Sequence, residues 1–359
     1  MLLEFDTNND RLAFQPYEAA AMMPEGLHTL VVRLTCAFVV TLAVFTRSAL
    51  VPVAATPPER FWLAGQFDGN RVIVYFEAVT FGATFPQNAR VLPSPVVFGF
   101  FSPAELAASY VMQLRKEFNF EPFGIGDRYQ LLVGGGTPRP ITLTTLVGFQ
   151  SDEAVGNESL IGALATVEGS APLLLTRGYY AVRRAESGGT PRAARATRTT
   201  PAGLSDAPVR FDVQTRLARL LDQQMQRDAP ESQRQALGAT PIAFAIQSFY
   251  LADGSLRYYV RSEWRKGRAG TDRAAYSLAA WIAPSPLRLL AVEHATSGDV
   301  YGFQSALPNL VNVVDLGRGR TGVIVQTAGL DSTGLALHEY RDAASLDQMP
   351  VLHAISVGE

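Results

Sequence analysis

The sequence predicts a β-dominated α+β protein. Short runs rich in Val, Ile, Leu, Tyr and Phe recur through the chain, with turn residues between them. The 30 Gly and 22 Pro among 359 residues punctuate it too often for long helices. Helical spacing of apolar residues is clear in two stretches, one in each half. The expected architecture is two antiparallel meander modules, each with a helix, arranged as a propeller-like ring or a sandwich. Composition is ordinary for a globular chain: 47% hydrophobic, 18% charged, formal net charge −2. Nothing in that balance demands a polyanionic partner, and no nucleic acid is expected.

The first element is an apolar segment. Leu27–Phe45 reads LHTLVVRLTCAFVVTLAVF, with Arg33 ahead of a charge-free run Leu34–Phe45. Val53 and Ala55 then fit an A-x-A-like cleavage site. A positive residue, an apolar stretch and a small-residue site are the three parts of a secretory signal. Five acidic residues (Glu4, Asp6, Asp10, Glu18, Glu25) lengthen the part before Arg33, and Met22 or Met23 would shorten it as a start. Residues 1–55 are expected to be a signal peptide or, uncleaved, a membrane anchor, since roughly 20 apolar residues span a bilayer. A buried core segment is the third reading. The body is thus expected to be exported, to periplasm, envelope or exterior, with membrane contact only through an uncleaved leader. Cys36, the chain's single cysteine, lies in this segment. A body starting at Thr56 therefore has no disulfide, thiol nucleophile or zinc–cysteine site.

Residues 56–184 form the first module. Arg60–Gly65 and Arg71–Phe76 flank the turn Gln66-Phe67-Asp68-Gly69-Asn70, and the second run is apolar on both faces, as in a covered central strand. Residues 102–118 predict a helix. Ser102 suits its cap, Pro103 its first position and Glu105 a capping box. Leu106, Tyr110, Leu114 and Phe118, with Val111, make its apolar stripe. Four strands follow over Tyr129–Val133, Ile141–Phe149, Leu160–Val167 and Leu173–Val182.

Residues 185–208 read AESGGTPRAARATRTTPAGLSDAP and have no apolar period. They are expected to be a flexible linker. Residues 209–359 form the second module. It opens with a helix marked by Val213, Leu217, Leu220, Leu221 and Met225. Ile242–Tyr250 and Leu256–Trp264 flank Asp253-Gly254, a hairpin signal. Tyr276–Ala283 and Leu287–His294 flank Pro284-Ser285-Pro286. Leu310–Asp315, Thr321–Thr327, Leu335–Tyr340 and Val351–Val357 complete the series.

Two stretches carry a resemblance. Residues 126–166, GDRYQLLVGGGTPRPITLTTLVGFQSDEAVGNESLIGALAT, resemble an uncharacterised group of exported bacterial proteins, which implies no activity. Residues 307–340, LPNLVNVVDLGRGRTGVIVQTAGLDSTGLALHEY, resemble the same kind of protein and are loosely similar to the FG-GAP-like strand units of β-propellers. The calcium loops of such units need closely alternating acidic or Asn residues. Here Asp315 precedes Leu316-Gly317-Arg318-Gly319-Arg320, so no calcium site is carried over.

The candidate ligand-binding residues are Asp152, Glu153, Asn157 and Glu158, in the loop 151–159 between two strands. Concentrated carboxylates and amides suit hard cations and sugars, while a solvated hairpin loop is the plainer reading. Glu293-His294 and His338-Glu339 are candidates to converge on a metal, but the HExxH signature fails at Asp342, and adjacent strand residues face opposite ways. Ser332 lacks the G-x-S-x-G elbow of a serine nucleophile. Gly124-Ile125-Gly126 and Gly134-Gly135-Gly136 precede no helix, so they cradle no phosphate. Arg257–Lys266 alternates Arg257, Tyr259, Arg261 and Arg265, a face broken by Glu263, against Leu256, Tyr258, Val260 and Trp264, either a solvated strand face or a basic patch for a polyanion. No catalytic residue, metal or cofactor is assigned. The expected function is non-enzymatic binding of a saccharide, a peptide or an envelope protein; a carboxylate-dependent hydrolase using Asp152, Glu153 or Glu158 is the alternative.

Overall fold

Alternation of apolar residues along the first two strands decides the architecture of the N-terminal half. The structure, a computed structural model, describes residues 59–80, 89–92, 103–150, 158–169, 178–185, 201–234, 241, 243–265, 275–297, 307–328 and 332–358. The leader 1–55 lies outside them. Among the described residues no helix is long and apolar enough to cross a membrane. In β1 (Phe61–Asp68) Trp62 and Ala64 turn to one core and Phe61 and Leu63 to another. In β2 (Arg71–Thr80) Val72, Val74 and Phe76 join the first core, and Ile73 and Tyr75 the second. A period of two with both faces apolar requires cover on both sides.

The cover on the first side is the sheet itself. β4 (Arg128–Leu132), β5 (Arg139–Gln150), β6 (Glu158–Val167) and β7 (Tyr179–Arg184) complete a closed antiparallel barrel in the cyclic order β1-β2-β6-β5-β4-β7. Bulges at Gln66/Asp68, Tyr75/Glu77 and Leu143/Thr145 bend the strands round. Side chains fill the interior, as expected for so few strands. Trp62, Phe76 and Tyr129 pack edge to face, with Phe123 stacked 4.0 Å from Phe76.

The helix α1 packs on that interior, but it runs Ala108–Phe118, six residues shorter than the sequence predicts. Its N-cap is Ala107, which has no side-chain cap. The residues expected to form the capping box are used otherwise. Ala104–Glu105 is a two-residue strand, β3, paired with Gly148 and Val147, and the Glu105 amide donates to the Arg90 carbonyl at 2.8 Å. Pairing with an available sheet edge outweighs a local cap signal. Val111 and Leu114 are buried as expected, and Leu106 is buried ahead of the helix.

Two further sheets follow. β9 (Ala243–Tyr250), β10 (Leu256–Arg265), β11 (Ala275–Pro284) and β12 (Leu287–Ser297) form a meander, sheet B, with the short β8 (Gly203–Leu204) beyond β9. β13 (Asn309–Gly317), β14 (Arg320–Ala328), β15 (Ser332–Glu339) and β16 (Val351–Gly358) form a second meander, sheet C. The helix α2 (Phe211–Asp228) lays Leu217, Leu221 and Met225 on one face of sheet B, against Tyr258, Val260, Trp264 and Tyr276. The other face, with Phe249, Tyr259 and Trp281, packs on Val313, Val323 and Val325 of sheet C. The opposite face of sheet C, with Val314, Leu316, Ile324, Leu335 and Leu337, covers the outer wall of the barrel at Leu63, Ile73, Tyr75 and Phe149.

The layers therefore run barrel, sheet C, sheet B, helix. The β-dominated α+β class is as expected. The ring that closes is a barrel within the first module, and the sandwich is sheet B on sheet C. Residues 59–359 make one compact unit. Most of the expected linker lies outside the described residues, but its end is ordered. Leu204 pairs with Phe249, and the Ala202 carbonyl accepts from the Gly135 amide at 2.7 Å. A Cβ on Gly203 would lie 2.3 Å from the Gly135 nitrogen, so the glycine triplet serves close backbone packing.

Candidate functional site

The strands that carry the predicted ligand-binding loop are present, since β5 pairs with β6 from Ile141↔Val167 to Gln150↔Ser159. Glu158 opens β6 opposite Thr80 of β2, a ladder position rather than a loop tip. Asp152, Glu153 and Asn157 lie outside the described residues.

The histidines separate as alternation requires. Glu293 faces the sandwich, where it accepts from Trp281 Nε1 at 3.3 Å and from the Leu346 amide at 2.8 Å. Burial raises its proton affinity, although both hydrogen bonds oppose the shift. His294 takes the other face and stacks on Tyr276 with ring centroids 6.2 Å apart. His338 is buried, its Nδ1 3.5 Å from the Met349 carbonyl, and burial lowers its pKa. Glu339 lies 3.7 Å from Arg320. Among the described residues no three His, Cys, Asp or Glu side chains come together as metal ligands. Ser332 is the first residue of β15, paired with Gly358.

Ionic groups instead bridge the layers. Glu59 accepts from Arg183 at 3.1 Å and from Arg320 at 2.5 Å, tying β7 of the barrel to β14 of sheet C. Arg183 also donates to Gln130, and Arg320 lies over the Phe61 ring. Arg257 of sheet B forms a two-point pair with Asp342 at 3.0 and 2.6 Å, and Tyr340 donates to the same carboxylate at 2.9 Å. The Arg257 guanidinium holds that carboxyl below its usual range. His353 on β16 sits against the barrel, with its Nδ1 accepting the Leu63 amide at 3.2 Å. Burial pulls its pKa down to about 4.

These contacts correct the reading of Arg257–Lys266. The Arg257 side of β10 is not a solvated face, because Tyr259 is buried in the sandwich and donates to the Pro308 carbonyl at 2.7 Å. Nor is it a continuous basic patch, because Arg257 is paired. Arg261 differs. It makes no hydrogen bond or ion pair with any described residue, and it lines a recess of about 190 Å³ with Ala243, Ala245, Leu307 and Glu263, a carboxylate that has a partner of its own.

That recess adjoins the outermost full-length strand of sheet B. β9 pairs with β10 from Ala243↔Glu263 to Tyr250↔Leu256, but on its outer side β8 covers only Phe249 and Tyr250. The Ser205 amide adds one bond, to the Ser248 carbonyl at 2.8 Å. Asp206-Ala207-Pro208 then leads on to α2, which begins at Phe211. A second recess, of about 250 Å³, lies between residues 204–209 and Ile246-Gln247-Ser248. In an antiparallel ladder, residues two apart direct their backbone groups to the same side. Since the Ser248 carbonyl points outward, so do the amides and carbonyls of Ile246 and Phe244. No described residue pairs with them. Sequence reasoning singled out Arg261 but missed this border. Its signal is Ala243-Phe244-Ala245-Ile246, small residues alternating with large ones beside Arg261. No family model, curated protein or solved structure matches the chain.

Proposed function

We propose that the chain is an exported, non-enzymatic binding protein of the cell envelope or its surroundings. The apolar segment Leu27–Phe45 supports export. The observation that supports the binding reading is how the body uses four of its described acids; Asp152 and Glu153 lie outside the described residues. Asp342 is held by Arg257, Glu293 by Trp281 and the Leu346 amide, and Glu59 with Glu339 by Arg320. All but the Glu339 pair, which lies within sheet C, join one layer to another. A carboxylate hydrolase needs two such groups facing a shared cleft, and these face structural partners.

The test has two parts. Cell fractionation with mass spectrometry of the recovered chain should find it outside the cytosol, beginning at Thr56 if the leader is cleaved. Recovery of full-length protein from cytosol overturns export. Incubation with saccharide and peptide ester panels should show no turnover. Hydrolysis that disappears in the combined variant Asp152→Asn, Glu153→Gln, Glu158→Gln would establish the hydrolase instead.

A further inference from the structure

We infer that the outer edge of β9 takes up an extended peptide as an added strand, and that Arg261 selects an acidic residue in it. The inference rests on the reading of the body as a binding protein and names its ligand class. Exposed strand edges are templates for pairing, and proteins normally blunt them with charge, proline or a covering segment. Ala243–Ile246 contains no charge and no proline, and among the described residues only 204–209 come near its outer edge, at Ile246. Ala243 and Ala245 are exposed, Phe244 and Ile246 are half-buried, and the outward backbone groups of Phe244 and Ile246 have no described partner. β8 already adds to this edge for two residues and stops at Ser205. A peptide beginning where β8 leaves off continues the same ladder.

Arg261 supplies selectivity. It stands directly across from Ala245 on β10, on the side away from α2. Strands lie ~4.8 Å apart, so an added strand is ~9.6 Å from β10. A methyl group at position 245 leaves the guanidinium room to cross β9 toward that strand. The facing residue of the peptide then meets a cation that pairs with no described residue, Glu263 in the same recess being engaged elsewhere, and a carboxylate matches its two-point donor geometry. The apolar wall of the recess, with Leu307, strengthens the pair by excluding water. Main-chain bonds provide affinity and the side-chain contact provides choice, the division usual in strand addition.

The probe is a blocked heptapeptide of alternating Thr and Val with a central Glu, titrated against the 56–359 protein by NMR and fluorescence anisotropy. Twins carry Lys for Glu, or N-methyl groups on alternate amides. The Glu peptide should shift the resonances of Ala243–Ile246 and bind about tenfold tighter than the Lys twin. N-methylation should abolish binding. Arg261→Gln should erase the Glu preference, and Ala245→Glu, which places an internal acid beside Arg261, should do the same from an exposed position. Equal binding of the Glu and Lys peptides, unchanged selectivity in both variants, unimpaired binding after N-methylation, or no binding at millimolar peptide overturns the inference. Cleavage of the peptide would instead overturn the non-enzymatic reading, which mass spectra of the same samples distinguish.

Discussion

The barrel and sheet B are both antiparallel and built from strands of similar length, yet their borders differ. Each barrel strand has a neighbour on either side, and bulges at Tyr75/Glu77 and Leu143/Thr145 absorb the mismatch that closure creates. Sheet B pairs β9 fully on one side and for two residues on the other. Closure pairs the barrel strands with one another, and the stretch of β5 beyond β4 is taken by β3 at Val147 and Gly148. An open border keeps hydrogen-bonding groups available, and in this molecule it also lies beside Arg261, which pairs with no described residue. The barrel is thus best read as the support, and the edge of sheet B as the part with unused chemistry.

The sharpest way to break that contrast is at Gly162. A Cβ there would lie 2.4 Å from the Val74 carbonyl oxygen, a backbone atom that cannot swing aside. Gly162→Ala should destabilise the protein by about 4 kcal/mol, read by urea denaturation. A loss under about 1 kcal/mol would mean that the β2–β6 seam yields and that closure is not strict. Ile324→Ala comes next. Ile324 is fully buried where sheet C meets the barrel, and its truncation should cost about 3 kcal/mol and unfold both halves together. Separate transitions would show that barrel and sandwich are independent.

His353 tests the same seam through pH. Its pKa is about 4 in the folded protein, against about 6.5 in an unfolded chain. The unfolded chain therefore binds more protons between those values. The stabilising contribution is full above about pH 6.5 and is lost as pH falls toward about 4, amounting to about 2 kcal/mol with allowance for partial exposure. Denaturation at a series of pH values should show that slope, and His353→Gln should flatten it. The smallest effect is expected at Glu293, whose pKa is raised by burial, so ionisation in the folded state opposes folding as pH rises. Glu293→Gln keeps an acceptor for Trp281 and Leu346 and should stabilise by about 0.5–1 kcal/mol at pH 7, with no gain at pH 4.

Strands were legible because alternation is a local signal. Arg71–Phe76, Ile141–Phe149, Leu256–Trp264 and Thr321–Thr327 each lie within strands of the structure. Closure of the barrel was not legible. It depends on β1 pairing with β7 across more than a hundred residues, which no local pattern encodes. The helix start failed for a related reason: Ser102-Pro103-Ala104-Glu105 has cap chemistry, but the edge of β5 captures Ala104 and Glu105. Gly203-Leu204 is too short to show any period. For the candidate site, alternation in β10 correctly separated Arg257, Tyr259 and Arg261 from Tyr258, Val260 and Trp264. It could not tell that Arg257 would meet Asp342 while Arg261 would pair with no described residue, because that depends on where sheet C docks.

Sheet C has one more implication. Its four strands span residues 309–358, after every strand of the barrel in the chain. During synthesis the barrel segments leave the ribosome well before the layer that shields Leu63, Ile73, Tyr75 and Phe149 from water. A barrel formed at that point would present a greasy flank to every neighbouring nascent chain. Such a protein gains by staying threadlike until its last fifty or so residues exist, the state in which a translocation channel would have to receive it.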